Sequence, residues 1–196
     1  MIESNFQYLC NIDTDINFHL NTLRYYESHS DTIAEMGVRY VVSTWAFLEG
    51  RPKKLTSYDI VHPKEWKGNV LQRLKHAEQF AKENNIEFEF INKDVLEVDL
   101  PETDFLFIDT WHVYDQLIKE LNMHSPKVKK WIALHDTETY GEKGETSPYS
   151  IREKKEYLGL SYAVNEFLKN NINTWRLHEH YVYNNGLTIL KRIGND

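Results

Sequence analysis

Apolar positions along the chain switch between two periods. Ile16, Leu20 and Leu23 recur at helical spacing within 13–29, where Asp13 or Thr14 offers an N-cap. TIAEMG (32–37) is a short apolar run ending in glycine and reads as a buried strand. A helix is predicted from Ser43–Thr44 through WAFLEG, followed by a strand over LTSYDI (55–60). Val70, Leu71, Leu74, Ala77, Phe80 and Ala81 mark the inner face of a helix across about 66–84. IEFEFI (86–91) alternates as a strand does. DFLFID (104–109) and WIALHD (131–136) are near-continuous apolar runs separated by a helical stretch at 114–124. Strands alternating with helices predict an α/β fold, a mainly parallel sheet with helices on both faces.

The last third changes character. Residues 137–157 are polar and contain Gly141, Gly144 and Pro148, which predicts a surface segment covering the site as a lid. A helical pattern resumes at 158–170. TWRLHEHYVY and GLTILKRI then flank Asn184–Asn185–Gly186, a turn sequence suited to an antiparallel hairpin. No break in composition calls for a second domain, so residues 1–196 are read as one.

Composition narrows the classes. Of 196 residues, 41% are hydrophobic and 27% charged, as in a folded globular chain rather than a disordered one. A net charge of −7 argues against a nucleic-acid phosphate track. Cys10 is the single cysteine, which excludes an intrachain disulfide and a four-thiolate zinc site. No apolar stretch approaches the roughly 20 residues of a membrane span. The opening residues do not read as a secretory signal. A cytoplasmic location is expected.

The candidate chemistry lies where polar residues follow apolar strands. Glu35 and Gly37 close the first strand and Asp59 the second. Asp94 follows the third, Asp109 ends the fourth, and His135 with Asp136 end the fifth. In a parallel sheet these ends share one edge, where open sheets bind ligands. Asp is also an ordinary turn residue, which accounts for any one of these positions more readily than for the set. Gly37 allows a tight turn or a close backbone approach. Ser43 and Thr44 fall at a helix start. Asp59 follows Gly37 by the spacing at which a carboxylate accepts ribose hydroxyls, which suits a nicotinamide dinucleotide or an adenosyl cofactor. The strict G-x-G-x-x-G fingerprint and a Gly-Lys-Ser/Thr phosphate loop are absent, which favours a nucleoside without phosphates. Asp109, His135 and Asp136 are ligand types for Mg2+ or another divalent ion, or members of a metal-free hydrogen-bonded network. His112 is placed to reach the same pocket as a general base, or to serve structurally. Trp111, Tyr114, Tyr140 and Tyr149 suit a substrate cleft or ordinary half-buried packing.

EMGVRYVVSTWAFLEG (35–50) with LTSYDI resembles the first motifs of class I S-adenosylmethionine (SAM)-dependent methyltransferases. DFLFIDTWHVYDQLIKEL (104–121) and KKWIALHDT (129–137) are similar to the fourth- and fifth-strand motifs of the branch holding small-molecule and sugar O-methyltransferases and cephalosporin-hydroxylase-like proteins. The resemblance implies a Rossmann-like seven-stranded sheet in the order 3-2-1-4-5-7-6, with six strands parallel and one antiparallel. It implies O-methylation of a small polar acceptor, most plausibly a sugar or glycan unit. Glu35, Gly37, Ser43 and Thr44 match positions around the methionine part of the cofactor. Asp59 matches the ribose-binding carboxylate. Asp94 and Val95 match the adenine-proximal pair. Asp109 matches a cofactor-proximal position and a metal ligand, and Asp136 another ligand, with His135 beside it. Two departures stand out: Val41 replaces a customary glycine, and Trp111 replaces an Asp of the fourth-strand motif, which leaves His112 as the expected base. A non-catalytic SAM-binding or assembly module and an NAD-dependent oxidoreductase are the competing readings, and a homodimer is compatible with all of them.

Overall fold

The computed structural model describes residues 5–146 and 157–194. Seven strands form one sheet: β1 (Thr32–Met36), β2 (Lys54–Asp59), β3 (Glu87–Asn92), β4 (Thr103–Ile108), β5 (Val128–His135), β6 (Trp175–Tyr181) and β7 (Leu187–Arg192). Their order is β3-β2-β1-β4-β5-β7-β6. β1 to β5 pair in parallel, and β7 runs antiparallel to both β5 and β6. The expected Rossmann-like arrangement, six parallel strands and one antiparallel, is the arrangement found.

β4 lies centrally and every residue in it is buried. Strand periodicity divides its side chains between two cores. Phe105 and Phe107 join the core under α1 (Asn5–Asn11), α2 (Leu20–Glu27), α3 (Ser43–Gly50) and α4 (Val70–Glu83). Leu106 and Ile108 join the core under α5 (Tyr114–His124) and α6 (Leu160–Asn170). Of the inner face expected for α4, Val70, Leu74, Ala77 and Ala81 are buried, Phe80 is partly buried, and Leu71 is exposed. That helix begins at Val70 rather than 66, because Pro63 opens a 3₁₀ turn and Gly68 turns the chain at φ 85. Among the described residues no helix is long and apolar enough to cross a membrane.

The single helix expected over 13–29 is not formed. The chain makes α1, breaks, and re-enters through a 3₁₀ turn at Asn17–His19 into α2. Thr14 Oγ1 accepts from its neighbour Ile16 N at 3.4 Å, the local competition that keeps short polar residues out of helix interiors. Distant contacts complete the break. Asn184 on the terminal hairpin accepts from Phe18 N and donates to the Thr14 carbonyl, both at 2.9 Å, and buried His19 donates from Nε2 to the Tyr183 carbonyl at 2.9 Å. The expected lid lies only in part among the described residues. Residues 147–156, with Pro148 and Tyr149, are outside them. The flanks, 140–146 and 157–160, run antiparallel beside the site: Gly144 N donates to the Tyr157 carbonyl and Gly159 N to the Glu142 carbonyl.

Glu27, the last residue of α2, is fully buried, and neither carboxylate oxygen has a hydrogen-bond partner. It fits only because residue 50 is glycine; a Cβ there would lie 1.0 Å from Glu27 Oε2. Burial pushes the Glu27 carboxyl from 4.5 up to about 8, with Arg24 pulling the other way. The fold therefore binds this proton more tightly than the unfolded chain does, and stability falls as pH rises from about 4.5 to about 8. Glu27→Gln is expected to flatten that slope and to exceed the wild type in stability at pH ~8, read from urea unfolding at pH ~5 and ~8. A variant-to-wild-type difference that is equal at the two pH values would exclude this account.

Candidate functional site

Strand order reverses between β1 and β4, and two cavities open beyond their carboxyl ends, as expected at a topological switch point. One, of about 390 Å3, is lined by Asp59, Ile60, Asp94, Val95 and Gln116. The other, of about 620 Å3, is lined by Asp15, His112, Asp136, Tyr140, Glu145 and Asn185. Gly37, Arg39, Trp66, Asp109, Thr110 and Trp111 line both, so the two spaces adjoin.

Gly37 has φ 88, and a Cβ on it would lie 1.8 Å from the Asp109 carbonyl oxygen. Its close approach is to the end of β4. The loop that follows keeps a glycine-like path without glycine, since Arg39 and Val41 adopt φ 43 and 57. For a β-branched residue this is a strained conformation, held because Val41 is wholly buried in the core. Asp59 fastens the loop: Oδ2 accepts from the Val38 and Arg39 backbone N–H groups at 2.8 Å each, and Oδ1 accepts from Val61 N at 2.7 Å. Three of about four carboxylate lone pairs are thereby engaged, which leaves room for one ribose hydroxyl rather than two. Asp94 caps a 3₁₀ turn by accepting from Leu96 N at 2.9 Å, and buried Val95 follows it.

Glu35, Ser43 and Thr44 line neither cavity. Glu35 is fully buried and accepts hydroxyl hydrogen bonds from Ser43 (2.5 Å), Ser57 (2.6 Å) and Thr44 (2.8 Å). Burial pushes its carboxyl up to about 7 against these bonds. The trio ties β1, β2 and α3 together beneath the loop, so its placement is that of a support rather than a cofactor contact.

The larger cavity is organised around His112. Its Nε2 lies 3.0 Å from Asp109 Oδ1 and 2.9 Å from Asp136 Oδ2, and its Nδ1 lies 3.0 Å from Glu145 Oε2. Its ring stacks on Tyr140 at 4.8 Å. Burial alone would lower the imidazole pKa, but hydrogen bonds and charges from Asp109 and Asp136 outweigh it and push it up to about 10. Against its own burial, Asp109 is held well below the usual carboxylate range by the charge of His135 and the hydrogen bond from His112. Without an ion these contacts favour the imidazolium over the neutral ring that the expected role of general base requires.

Asp109, His112 and Asp136 bring one donor atom each within 4.8 Å of one another and form the candidate metal set. Asp136 is 5% exposed, and its buried Oδ1 has no hydrogen-bond partner. The histidine in the set is His112, not His135 as expected from sequence. His135 is buried behind the cluster; Nε2 donates to the Asp15 carbonyl at 3.1 Å, and Nδ1 stands 3.4 Å from Asp109 Oδ2 with no hydrogen bond. Trp111, 39% exposed, packs edge-on against Tyr157. Tyr114, also expected in the cleft, instead donates to Glu166 at 2.7 Å. Glu145, Arg39 and Asp15 were not singled out by sequence. The first sits in an unpatterned polar segment, and the other two have the look of solvated surface charge.

No protein-family model matches the sequence, and no curated protein sequence matches it. Solved structures do. A protein described as a caffeoyl-CoA O-methyltransferase from Staphylococcus aureus has a TM-score of 0.60 at 14% identity, covering 96% of this chain and 92% of its own. Magnesium protoporphyrin IX methyltransferase from Synechocystis, with bound S-adenosylhomocysteine (SAH), has a TM-score of 0.60 at 12% identity, covering 95% and 91%. An O-methyltransferase-like protein from Klebsiella pneumoniae has a TM-score of 0.56 at 16% identity, covering 93% and 81%. The fold is that of class I SAM-dependent methyltransferases.

The raised His112 pKa gives a signed expectation. Its ionic contacts stabilise the fold fully below about pH 6.5, and that contribution is lost as pH rises through about 10. In metal-free protein, imidazole NMR shifts of His112 are expected to remain those of the cation at pH ~8, and Asp136→Asn to return the midpoint toward ~6.5. A wild-type midpoint near that ordinary value would refute the assignment.

Proposed function

We propose that this chain transfers the methyl group of SAM to a hydroxyl of a small polar acceptor, foremost a sugar or glycan unit. The observation that carries this reading is the pair of adjoining cavities with Asp109 and Trp111 in both walls. The smaller has the Asp59, Asp94 and Val95 lining suited to a nucleoside, and its 390 Å3 falls within the roughly 300–1,000 Å3 of small-molecule sites. The larger carries the carboxylate–imidazole cluster. Its walls combine aromatic faces (Trp66, Trp111, Tyr140) with the carboxyl groups of Asp15, Asp109, Asp136 and Glu145. Such walls suit a polyhydroxyl acceptor and oppose an anionic one.

SAM, when bound, supplies a methyl carbon on a sulfonium sulfur, open to in-line displacement. Asp109, His112 and Asp136 would hold a divalent ion, which would supply a Lewis acid lowering the pKa of an acceptor hydroxyl. The remaining work belongs to the chain. Trp111 and Tyr140 restrict water and align the acceptor. Asp136, which lines the acceptor cavity, is the carboxylate that takes the acceptor proton, and His112 keeps both carboxylates in register. The commitment of Asp59 to the loop favours one alternative, a chain that keeps the fold without using the cofactor.

Calorimetry with SAM, SAH and NAD separates the readings. SAM and SAH are expected to bind, and Asp59→Ala to weaken both at least tenfold by freeing the loop and removing the ribose contact. Binding of NAD alone would overturn the proposal, and binding of none of the three would leave the non-catalytic alternative. Radiolabelled methyl transfer across glycans, phenols and amines, with and without chelator, is expected to label glycan hydroxyls and to fall with chelator. Labelling of amines alone would overturn the acceptor assignment.

A further inference from the structure

We propose that Glu145 is the outer-sphere partner of a metal site centred on His112, and that this site takes a first-row transition ion in preference to Mg2+. The inference rests on the metal-assisted reading above and deepens it. Metal–nitrogen and metal–oxygen bonds of about 2.0–2.2 Å place neighbouring ligand atoms about 3 Å apart. His112 Nε2 stands at that distance from one oxygen of each carboxylate, 3.0 Å from Asp109 Oδ1 and 2.9 Å from Asp136 Oδ2. The buried, unpartnered Oδ1 of Asp136 is an independent sign that this carboxylate lacks a ligand.

The other ring nitrogen defines the role of Glu145. Oε2 of Glu145 lies 3.0 Å from His112 Nδ1, and Glu145 N donates to the His112 carbonyl at 2.9 Å. Side chain and backbone of one residue thus grip the same histidine, whose ring is also stacked on Tyr140. When an ion replaces the Nε2 proton, Nδ1–H still donates to Glu145, which directs the Nε2 lone pair to the ion and holds the ring in place. Glu145 belongs to the segment paired with 157–160, so that pair of stretches is tied to the ligand set. Ligand type then determines the ion. Mg2+ favours an all-oxygen shell rich in water, whereas imidazole with carboxylates suits Zn2+, Fe2+ or Co2+.

The test titrates the full chain with Co2+, Zn2+ and Mg2+, each alone, by calorimetry and by Co2+ visible absorption. Co2+ and Zn2+ are expected to bind at least tenfold more tightly than Mg2+. Glu145→Gln, isosteric at a part-exposed position, is expected to weaken Co2+ about tenfold, with Glu145→Asp recovering part of the loss. Glu142→Gln, an exposed neighbour on the same segment, is expected to bind as the wild type does. His112→Asn is expected to remove the high-affinity Co2+ spectrum. Mg2+ binding as tight as Co2+, unchanged Co2+ affinity in Glu145→Gln, or Co2+ binding that survives His112→Asn would each overturn the proposal. A wild-type chain that binds none of the three ions would overturn the metal-assisted reading with it. SAM binding is measured separately and is untouched by any of these outcomes.

Discussion

The site depends on how closely the ends of β1 and β4 approach. Gly37 packs so tightly on the Asp109 carbonyl that no side chain fits between them, and Asp109 N donates back to the Met36 carbonyl at 2.8 Å. That contact brings Asp109 to the boundary of two spaces, one suited to a nucleoside and one to an acceptor. It also commits the chain after Gly37 to a left-handed path, which Arg39 and Val41 follow without the conformational freedom of glycine. Burial of Val41 and the carboxylate of Asp59 hold a segment that local preference alone would release.

Beyond Asp109 the organising force is electrostatic. Two imidazoles, half-buried His112 and buried His135, stand beside Asp109 and Asp136, and both have pKa values pushed upward, to about 10 and about 9, because carboxylate charge exceeds the cost of burial. A carboxylate pair at this spacing would repel without a cation between its members. The imidazolium supplies one, and a divalent ion would supply a stronger one.

The sheet was legible because its strands are short apolar runs separated by helical periods, and because acidic residues fall at their ends. Asp59, Asp94, Asp109 and Asp136 reach the cavities by that logic alone. The choice between His112 and His135 was not legible. Strand alternation turns His135 toward the face that holds Ala133 and His19, while Asp136 leaves the strand at φ 60, a backbone reversal that no pattern of side chains announces. Glu35, Ser43 and Thr44 have the residue types of a binding motif, yet three hydroxyls turn inward to one buried carboxylate. Glu145 was beyond reach because its position depends on pairing between two stretches of a polar segment. The helix over 13–29 failed for a related reason: contacts from the far end of the chain set the backbone there.

Those contacts bear on the order of assembly during synthesis. Thr14, Phe18 and His19 bond to residues 183 and 184, a separation of 164–170 residues. Asp15 and Asn185, on the two sides of this junction, both line the larger cavity. During synthesis β1 to β4 precede the hairpin by some distance, whereas the wall of the larger cavity needs Asn185 and so waits for that hairpin. Loop closure over so long a separation is slow relative to local structure. The wall of the larger cavity thus depends on contacts of far longer range than those that build the smaller one.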